Sequence, residues 1–262
     1  MKERIDILLV ERRLVESRVK AQWLINNGYV SVNKKIITKP GKKIDNTLEI
    51  HLKKAFPYVG RGGLKLEAAL KEFSISIEDK ICIDIGASVG GFTDCLIKYG
   101  AKKVYAIDKA TNLLHPSLLC EKMGGKVIPK LGLDARDLIN LEENVDICTI
   151  DITFASLKDI LPNVKCFLKN SGDIIALIKP LFETEFYDEI RFNIIRDPEQ
   201  LRQILKDLIQ WCISNQFYPY GVLKSPLLGK EGSIEFFIHL KLEKPYLNLR
   251  YNEEIEKILK KI

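Results

Sequence analysis

The sequence contains no long apolar run, and its longest apolar stretches have the length of single β-strands. A membrane-spanning helix needs about 20 predominantly apolar residues, so we expect no membrane span. The first residues, MKERIDILLVERR, place charges on both sides of a short apolar patch and offer no small-residue cleavage site. This pattern is not that of a signal peptide, and we expect a cytoplasmic protein.

The six cysteines form no C-x-x-C pair. They occupy positions 82, 95, 120, 148, 166 and 212, and several fall inside apolar strand patterns. Paired spacings are the usual sign of a zinc site or a disulfide framework. We therefore interpret these cysteines as reduced core residues and predict no metal site.

The sequence also lacks the G-x-G-x-x-G spacing of dinucleotide-binding loops. In its place stands ICIDIGASVGGFTD (81–94), an apolar strand, a glycine-rich turn and the start of an amphipathic helix. The carboxylate of Asp84, two residues before Gly86, would repel a pyrophosphate but suits a cationic or amine-bearing ligand such as S-adenosylmethionine (SAM). Taken alone, the stretch is equally compatible with a helix-capping turn in any α/β protein.

Strand and helix patterns alternate over about 180 residues, which predicts an α/β fold with a mostly parallel sheet covered on both faces. Helical patterns are found near 92–100, 117–123, 198–215 and 252–262. Five polar residues end or closely follow predicted strands, namely Asp84, Asp108, Asp134, Asp151 and Lys179. Because ligands bind at the carboxyl ends of such strands, we expect these residues to share one site.

Basic residues are concentrated at one end of the chain. Residues 1–60 hold 13 Lys and Arg against 6 Asp and Glu, whereas the remaining residues hold 28 against 29. A charged face exposed to solvent is the ordinary interpretation of a lysine run. An asymmetry this complete favours a module that binds a polyanion.

The basic segment contains SRVKAQWLINNGYVSVN, with KPGKKI after it. Ser17 is a plausible N-cap, Gly28 would end the helix, and strands are predicted at 29–32 and 43–48 on either side of a lysine-rich turn. The segment resembles the S4 domain, the RNA-binding domain named after ribosomal small-subunit protein four. That resemblance implies RNA contacts by Arg4, Arg18, Lys20, Asn33, Lys34, Lys35 and Arg61.

A clear helical pattern follows in VGRGGLKLEAALKEF, with Leu64, Ala68, Leu70 and Phe73 as its predicted buried face. Lys65 then falls in the first turn. A lysine near a helix N-terminus opposes the helix dipole, so another demand is expected to hold it there. An exposed surface lysine is the simpler interpretation of this residue alone.

Several blocks at consistent spacing extend the pattern: YVGRGGLKLEAAL, DIGASVGGFTD, IDITFASL, LIKPLFE, IIRDP and SPLLGKEGSIEFF. Together they resemble the TlyA family of ribosomal RNA 2′-O-methyltransferases, whose catalytic domain is related to the FtsJ type and which carry a historical haemolysin label. The resemblance implies a Rossmann-like SAM-dependent methyltransferase sheet behind a small N-terminal α+β RNA-binding domain. It implies SAM as methyl donor, no metal, and the cytidine ribose of ribosomal RNA as acceptor within ribosomal subunits, leaving open whether 16S, 23S or both are modified.

The resemblance also implies site residues. A catalytic tetrad matches Lys65, Asp151, Lys179 and Glu235, and the cofactor residues match Asp84, Gly86, Ala87, Ser88, Gly90, Gly91, Asp108, Asp134 and Asp151. In this scheme Lys179 orients and deprotonates the ribose hydroxyl, Asp108 binds the ribose hydroxyls of SAM, and Asp134 binds its adenine amino group. A lysine can act as a base once burial and neighbouring cations have lowered its pKa.

The chain departs from the family pattern near the adenosine. Lys109-Ala110 replaces the usual Val-Gly, Val89 replaces a threonine and Gly60 replaces a serine. The expected domains are an S4-like domain (1–50), a linker (51–60), an FtsJ-like domain (61–245) and a helical tail (246–262). The alternatives are a non-catalytic RNA-binding protein, a dinucleotide-dependent enzyme and a haemolysin, and none of them explains an intact tetrad.

Overall fold

The computed structural model describes residues 1–121, 124–138, 140–184, 194–245 and 250–260. The chain divides into two units, Met1–Arg61 and Gly62–Ile262. Within the described residues, no helix is both long enough and apolar enough to cross a membrane.

The first unit combines two helices with five short strands. They are β1 (Lys2–Arg4), α1 (Ile5–Glu11), α2 (Arg18–Asn26), β2 (Val30–Val32), β3 (Lys35–Ile37), β4 (Lys43–Asp45) and β5 (Ile50–Leu52). Strand β2 lies between β3 and β5 in one antiparallel sheet, and β1 pairs with β4 in another. Ile5, Leu9, Leu24 and Ile25 have no exposed surface and form the core of this unit.

Local sequence signals set the ends of α2. The Ser17 side chain accepts a hydrogen bond from the Lys20 N–H, which confirms the predicted N-cap. Gly28 follows the helix with a φ of 71°, in the left-handed region that glycine adopts without strain. Both ends of this helix are therefore as predicted.

The two strands predicted on either side of the lysine-rich turn form as β2 and a shorter β4, and a further strand, β3, lies between them in the sequence. Asn33 and Lys34 both have positive φ and close a two-residue hairpin between β2 and β3, while β4 pairs with β1. The predicted linker at 51–60 also begins inside β5, which pairs with β2. Strands of three residues show too little alternation to be recognised in a sequence.

The second unit is built on one seven-stranded sheet. Its elements are α3 (Gly62–Glu72), β6 (Ile81–Ile85), α4 (Gly91–Lys98), β7 (Lys103–Asp108), β8 (Val127–Leu131), β9 (Val145–Ile150), α5 (Leu157–Val164), β10 (Leu168–Ile178), α6 (Pro198–Ser214), β11 (Tyr218–Lys224), β12 (Phe236–Lys241) and α7 (Tyr251–Leu259). The strand order is β11-β12-β10-β9-β6-β7-β8. Five neighbouring strands of this sheet, β10, β9, β6, β7 and β8, are parallel to one another. Strand β12 is antiparallel to both of its neighbours, β10 and β11. The predicted α/β class is confirmed.

The buried face of helix α3 overlaps the predicted one at Leu70 and differs from it elsewhere. Leu66, Ala69 and Leu70 are buried together with Lys65, whereas Leu64 is only partly buried. The apolar pattern alone left Lys65 off the buried face, although the family resemblance implied that it belongs to the catalytic tetrad. A buried ion pair, described below, accounts for the difference.

Two predicted helices near the edges of this unit have different outcomes. The stretch at 117–123 contains the 3₁₀ turn Pro116–Leu118, and two glycines of positive φ follow at 124 and 125; positions 122 and 123 lie outside the described residues. The C-terminal helix forms as α7, and Ile255, Ile258 and Leu259 pack into the main core. Position 262 lies outside the described part of the chain.

Candidate active site

The strand register brings the predicted residues to one edge of the sheet. Ile150 of β9 pairs with Ala176 of β10, so Asp151 and Lys179 leave neighbouring parallel strands on the same side. Ile178 pairs with Phe236 of the antiparallel β12. Glu235, which directly precedes Phe236, therefore enters the sheet beside the point where Lys179 leaves it.

Lys179 and Asp151 form an ion pair at this edge. The Lys179 Nζ atom lies 2.6 Å from Asp151 Oδ1. The contact does not have the geometry of a good hydrogen bond, and Oδ1 is buried with no other partner, so the attraction is mainly ionic. Lys179 instead donates a hydrogen bond to Thr153 Oγ1 at 2.9 Å. Its ammonium group is thus fixed from two sides, with the side chain 17% exposed.

A second ion pair joins Lys65 to Glu235. The Lys65 Nζ atom donates to Glu235 Oε2 at 2.5 Å, across 170 residues of sequence, and both side chains are buried. Gly229 lies against the same carboxylate, since a Cβ atom at this position would be 2.1 Å from Glu235 Oε1. The structure thus assembles the four predicted tetrad residues as two ion pairs on adjacent elements.

The glycine-rich loop approaches Asp151 closely. A Cβ atom on Gly86 would stand 2.3 Å from the Asp151 carbonyl oxygen, and the φ of Gly86 is 84°. Only glycine fits this position without displacing backbone. Gly90, with a φ of 91°, has a similarly tight contact with the Leu118 side chain.

The loop uses most of its N–H groups internally. Gly86 and Ala87 donate to the Ile107 carbonyl, Gly90 donates to the Ala87 carbonyl, and Ser88 donates to Asp108 Oδ2 at 2.7 Å. A phosphate-binding loop instead points such groups at its ligand. This arrangement supports the inference from Asp84 that the ligand is not a pyrophosphate.

Asp84 lies beneath the loop and has no exposed surface. Its carboxylate accepts hydrogen bonds from the hydroxyls of Thr93 at 2.6 Å and Thr149 at 3.1 Å. Burial raises the pKa of Asp84 to about 7, and the nearby Asp151 charge acts in the same direction. Direct contact between Asp84 and a ligand is therefore not available, and its influence on a bound cation is electrostatic.

Asp108 at the end of β7 keeps acceptor capacity for a ligand. Its Oδ1 accepts from the Ala110 N–H at 2.8 Å and its Oδ2 accepts from the Ser88 N–H. Each carboxylate oxygen can accept two hydrogen bonds, so one position on each remains for a pair of ribose hydroxyls. This geometry fits the predicted role.

Asp134 has no such capacity. Arg136 donates to Oδ1 from its backbone and Nε atoms and to Oδ2 from Nη2, and Lys109 Nζ lies 3.3 Å from Oδ2. The Arg136 guanidinium holds the pKa of Asp134 well below its usual value. An adenine amino group would have to displace one of these donors. Lys109 is the weakest of them and is one of the departures from the family pattern.

The predicted RNA-binding residues of the first unit fall into two groups. Arg4 and Arg18 both donate to the buried carboxylate of Asp6, yet their side chains remain about half exposed. Lys20, by contrast, is buried and paired with Glu16, an arrangement that does not favour the predicted RNA contact. Its Nζ atom also lies over the Phe56 ring, 5.5 Å from the ring centre.

The remaining predicted RNA contacts lie at the surface. Asn33, Lys34 and Lys35 form the exposed tip of the β2–β3 hairpin, where two consecutive lysine side chains carry ammonium groups. Arg61 is partly exposed and is the last residue of the first unit.

Three residues beside the tetrad were not predicted. Thr153 contacts Lys179, and Phe154 is 74% exposed with a φ of 68°, its ring 5.6 Å from that of Phe182. Glu183 binds the start of α5. All lie within the blocks IDITFASL and LIKPLFE, directly after strand ends, and that location was the available signal.

The donor set around this site does not suit a metal. In the part of the chain that the structure describes, no group of three or more His, Cys, Asp or Glu side chains converges. The carboxylates of Asp151 and Glu235 are instead each paired with a lysine.

Comparisons with known proteins support the same interpretation. The FtsJ-like methyltransferase family matches residues 58–242, and the S4 domain matches residues 3–50. YqxC of Bacillus subtilis is 41% identical over 91% of this chain and 85% of its own length. The 16S/23S rRNA (cytidine-2′-O)-methyltransferase TlyA of Mycobacterium tuberculosis is 31% identical over 92% of this chain and 90% of its own length. A solved Streptococcus thermophilus structure covers 99% of this chain and 95% of its own, with 35% identity and a TM-score of 0.73.

Proposed function

The chain belongs to the FtsJ-like methyltransferase family, in its TlyA group, and we propose that it transfers the methyl group of SAM to the 2′-hydroxyl of a cytidine in ribosomal RNA. The observation that carries this proposal is the pairing of Lys179 with Asp151 and of Lys65 with Glu235 at the edge of the sheet where the glycine loop lies. Two lysines and two acids in this arrangement can bind and deprotonate a ribose hydroxyl without a metal.

The residue nearest the proposed chemistry is Lys179. When bound, SAM supplies an electrophilic methyl group on a sulfonium centre. A ribose hydroxyl is a poor nucleophile, so its oxygen must be aligned with that methyl group and its proton removed. In the proposed step the Lys179 ammonium first releases a proton to solvent; its amine then accepts the hydroxyl proton, Asp151 stabilises the ammonium that re-forms, and Thr153 fixes the direction of the amine.

Lys65 and Glu235 orient the substrate in this account. Their ion pair is buried, so it presents a fixed charge arrangement beside Lys179. A ribose bound there meets a preorganised set of donors and acceptors, which is more effective than groups that must first reorganise. The pair thereby limits the positions that the reactive hydroxyl can adopt.

Cofactor binding is assigned to the loop from Gly86 to Gly91 and to Asp108. Gly86 lets the loop lie directly against the Asp151 backbone, and Asp108 retains two acceptor positions for ribose hydroxyls. Ala87 and Ser88 lie between them on the same loop. Asp134 is the proposed partner of the adenine amino group once Lys109 has moved away.

An aromatic surface beside Lys179 suits an unstacked base. Phe154 exposes most of its ring and adopts a left-handed backbone conformation, which is rare for a bulky residue and is often found at functional sites. A ribose can reach the site only if its nucleotide leaves the helical stack, and base stacking on an aromatic side chain offsets that cost. We assign Phe154 this role, supported by Phe182.

The S4 unit supplies affinity for RNA in this proposal. Its exposed hairpin and half-exposed arginines offer positive charge to phosphates, which position an RNA without selecting its sequence. The proposed substrate is 16S ribosomal RNA, 23S ribosomal RNA or both. Among the described residues, no feature favours the haemolysin alternative, and a protein that only binds RNA would have no use for two fixed ion pairs.

The test is to map the product. Purified protein would be incubated with ribosomal subunits and SAM carrying a labelled methyl group, followed by alkaline hydrolysis of the RNA. A 2′-O-methyl group blocks cleavage at its own nucleotide, so the expected label lies in an alkali-resistant dinucleotide that begins with cytidine. Label on a base, or none in RNA while wild-type protein binds SAM, would contradict the proposal. The Lys179→Ala variant is the matched control for adventitious labelling.

A further inference from the structure

Glu183 lies four residues after Lys179 and directs its carboxylate back to the start of α5. Its Oε2 accepts a hydrogen bond from the Ser156 hydroxyl at 2.5 Å, and its Oε1 accepts one from the Leu157 N–H at 2.9 Å. Burial raises the pKa of Glu183, although both hydrogen bonds oppose that shift. Removing a carboxylate from water is costly unless it is hydrogen-bonded, so this location calls for an explanation.

Helix α5 does not need Glu183 in order to begin. The Ser156 Oγ atom already accepts from the Lys158 N–H at 3.1 Å, and the Asp159 carboxylate accepts from the Ser156 N–H at 3.2 Å. This reciprocal arrangement is a capping box. The capping box forms without Glu183, which accepts from the Leu157 N–H in addition, so the further effect of this long-range contact must be sought between the segments that it joins.

Those segments carry the proposed catalytic residues. The loop after β9 holds Asp151 and Thr153, and the turn after β10 begins at Lys179 and ends at Glu183, with the Phe182 N–H donating to the Lys179 carbonyl at 2.9 Å. Lys179 contacts both Asp151 and Thr153. The contact of Glu183 with Leu157 closes a ring through both segments, which fixes their separation.

We propose that Glu183 is a positioning residue for methyl transfer. By holding the turn after β10 against the start of α5, it keeps the Lys179 amine within reach of Asp151 and Thr153. The inference rests on the proposed function, since it assumes that Lys179 acts on the ribose hydroxyl. Glu183 itself does not touch the reacting atoms. A displacement of about 1 Å at a reacting group can lower a rate by roughly a hundredfold.

Two substitutions test this role. Glu183→Ala should lower kcat by about 10- to 100-fold while leaving the Kd for SAM and the KM for ribosomal RNA within about twofold of wild type. Glu183→Gln should recover kcat to within about threefold, because its amide oxygen can accept from the Leu157 N–H and its amide nitrogen can donate to Ser156 Oγ. A purely structural role would not separate kcat from binding in this way.

Glu143→Ala provides the matched control. Glu143 accepts from Tyr105 and pairs with Lys103 near the amino ends of the strands, so its loss should lower thermal stability without changing kcat. The proposal is overturned if Glu183→Ala keeps the wild-type kcat, if its loss of activity equals that of Glu143→Ala, or if Glu183→Gln is as inactive as Glu183→Ala.

Hydrogen exchange separates this inference from the proposed function. The Leu157 amide should exchange faster in Glu183→Ala than in wild type, whether or not the protein methylates RNA. Faster exchange together with an inactive wild-type protein would refute the proposed function but support the contact by which Glu183 holds the start of α5. Unchanged exchange would show that Glu183 does not hold the start of α5, and would refute the positioning role.

Discussion

Lys65 Nζ lies 2.5 Å from Glu235 Oε2, joining a helix before the sheet to the residue that leads into β12. Their side chains are 9% and 4% exposed. Ion pairs buried to this degree contribute little net stability, because the loss of hydration offsets most of the attraction. Function is the better explanation for keeping two charges at this position.

Breaking this pair should separate stability from activity. Lys65→Met leaves the Glu235 charge buried without its partner and should lower the free energy of unfolding by about 3–5 kcal/mol. The double variant Lys65→Met, Glu235→Gln removes both charges and should recover most of that loss while remaining inactive. Urea unfolding and methyl-transfer assays provide the two measurements. A double variant that is as unstable as the single one, or that is active, would show that the pair has another role.

Asp84 should make stability depend on pH. Its folded-state pKa of about 7 lies above the usual 3.8, so the folded protein binds a proton that the unfolded chain releases earlier. This contribution is fully present below pH 4 and is lost as the pH rises through 7, by up to about 4 kcal/mol. Asp84→Asn should therefore be more stable than wild type at pH 8 and similar to it at pH 4. Equal unfolding free energies at pH 8 would exclude the raised pKa.

The cofactor assignment predicts opposite effects for two adjacent residues. Asp108→Ala removes acceptors for the ribose hydroxyls and should weaken SAM binding by about 1–3 kcal/mol. Lys109→Ala frees one acceptor position on Asp134 and should tighten binding by about two- to fivefold, since exposed ion pairs are weak. Calorimetry measures both. Equal affinities for wild type and Asp108→Ala would place the ribose elsewhere.

The lysines at the hairpin tip should contribute to RNA affinity through phosphate contacts. Replacing both Lys34 and Lys35 with alanine should weaken ribosomal RNA binding and reduce the slope of log K against log salt by about 2, because each contact releases counterions. Lys20→Ala is the control. It removes a buried lysine and should lower stability while leaving the slope unchanged. An unaltered slope in the double variant would assign RNA binding to another surface.

Much of the site could be predicted because strand ends are visible in a sequence. Apolar runs that end in Asp108, Asp151 and Lys179 fix where those residues lie in a parallel sheet. The rotation of α3 about its own axis could not be predicted from the apolar pattern. Lys65 lies on the buried side because it pairs with Glu235, 170 residues away.

Contacts between distant side chains were also beyond the sequence. Glu183 accepts a hydrogen bond from Leu157 of α5, which lies 26 residues earlier in the sequence. The acceptor positions of Asp134 are filled by the Arg136 and Lys109 side chains, and only the folded chain shows that these two side chains point at Asp134. The strands β3 and β5 are too short to show a period. The residues of the site were therefore more predictable than the contacts that hold them.

The rate of methyl transfer by Lys179 variants tests the central claim most directly. Lys179→Ala should bind SAM and ribosomal RNA nearly as wild type does and transfer methyl groups at least about a hundredfold more slowly, because a general base acts in the transition state. Lys179→Arg should not restore the rate, since a guanidinium stays protonated. Single-turnover assays with saturating SAM would measure this step. A near-normal rate for Lys179→Arg would show that the position supplies only positive charge, and would contradict its role as the base.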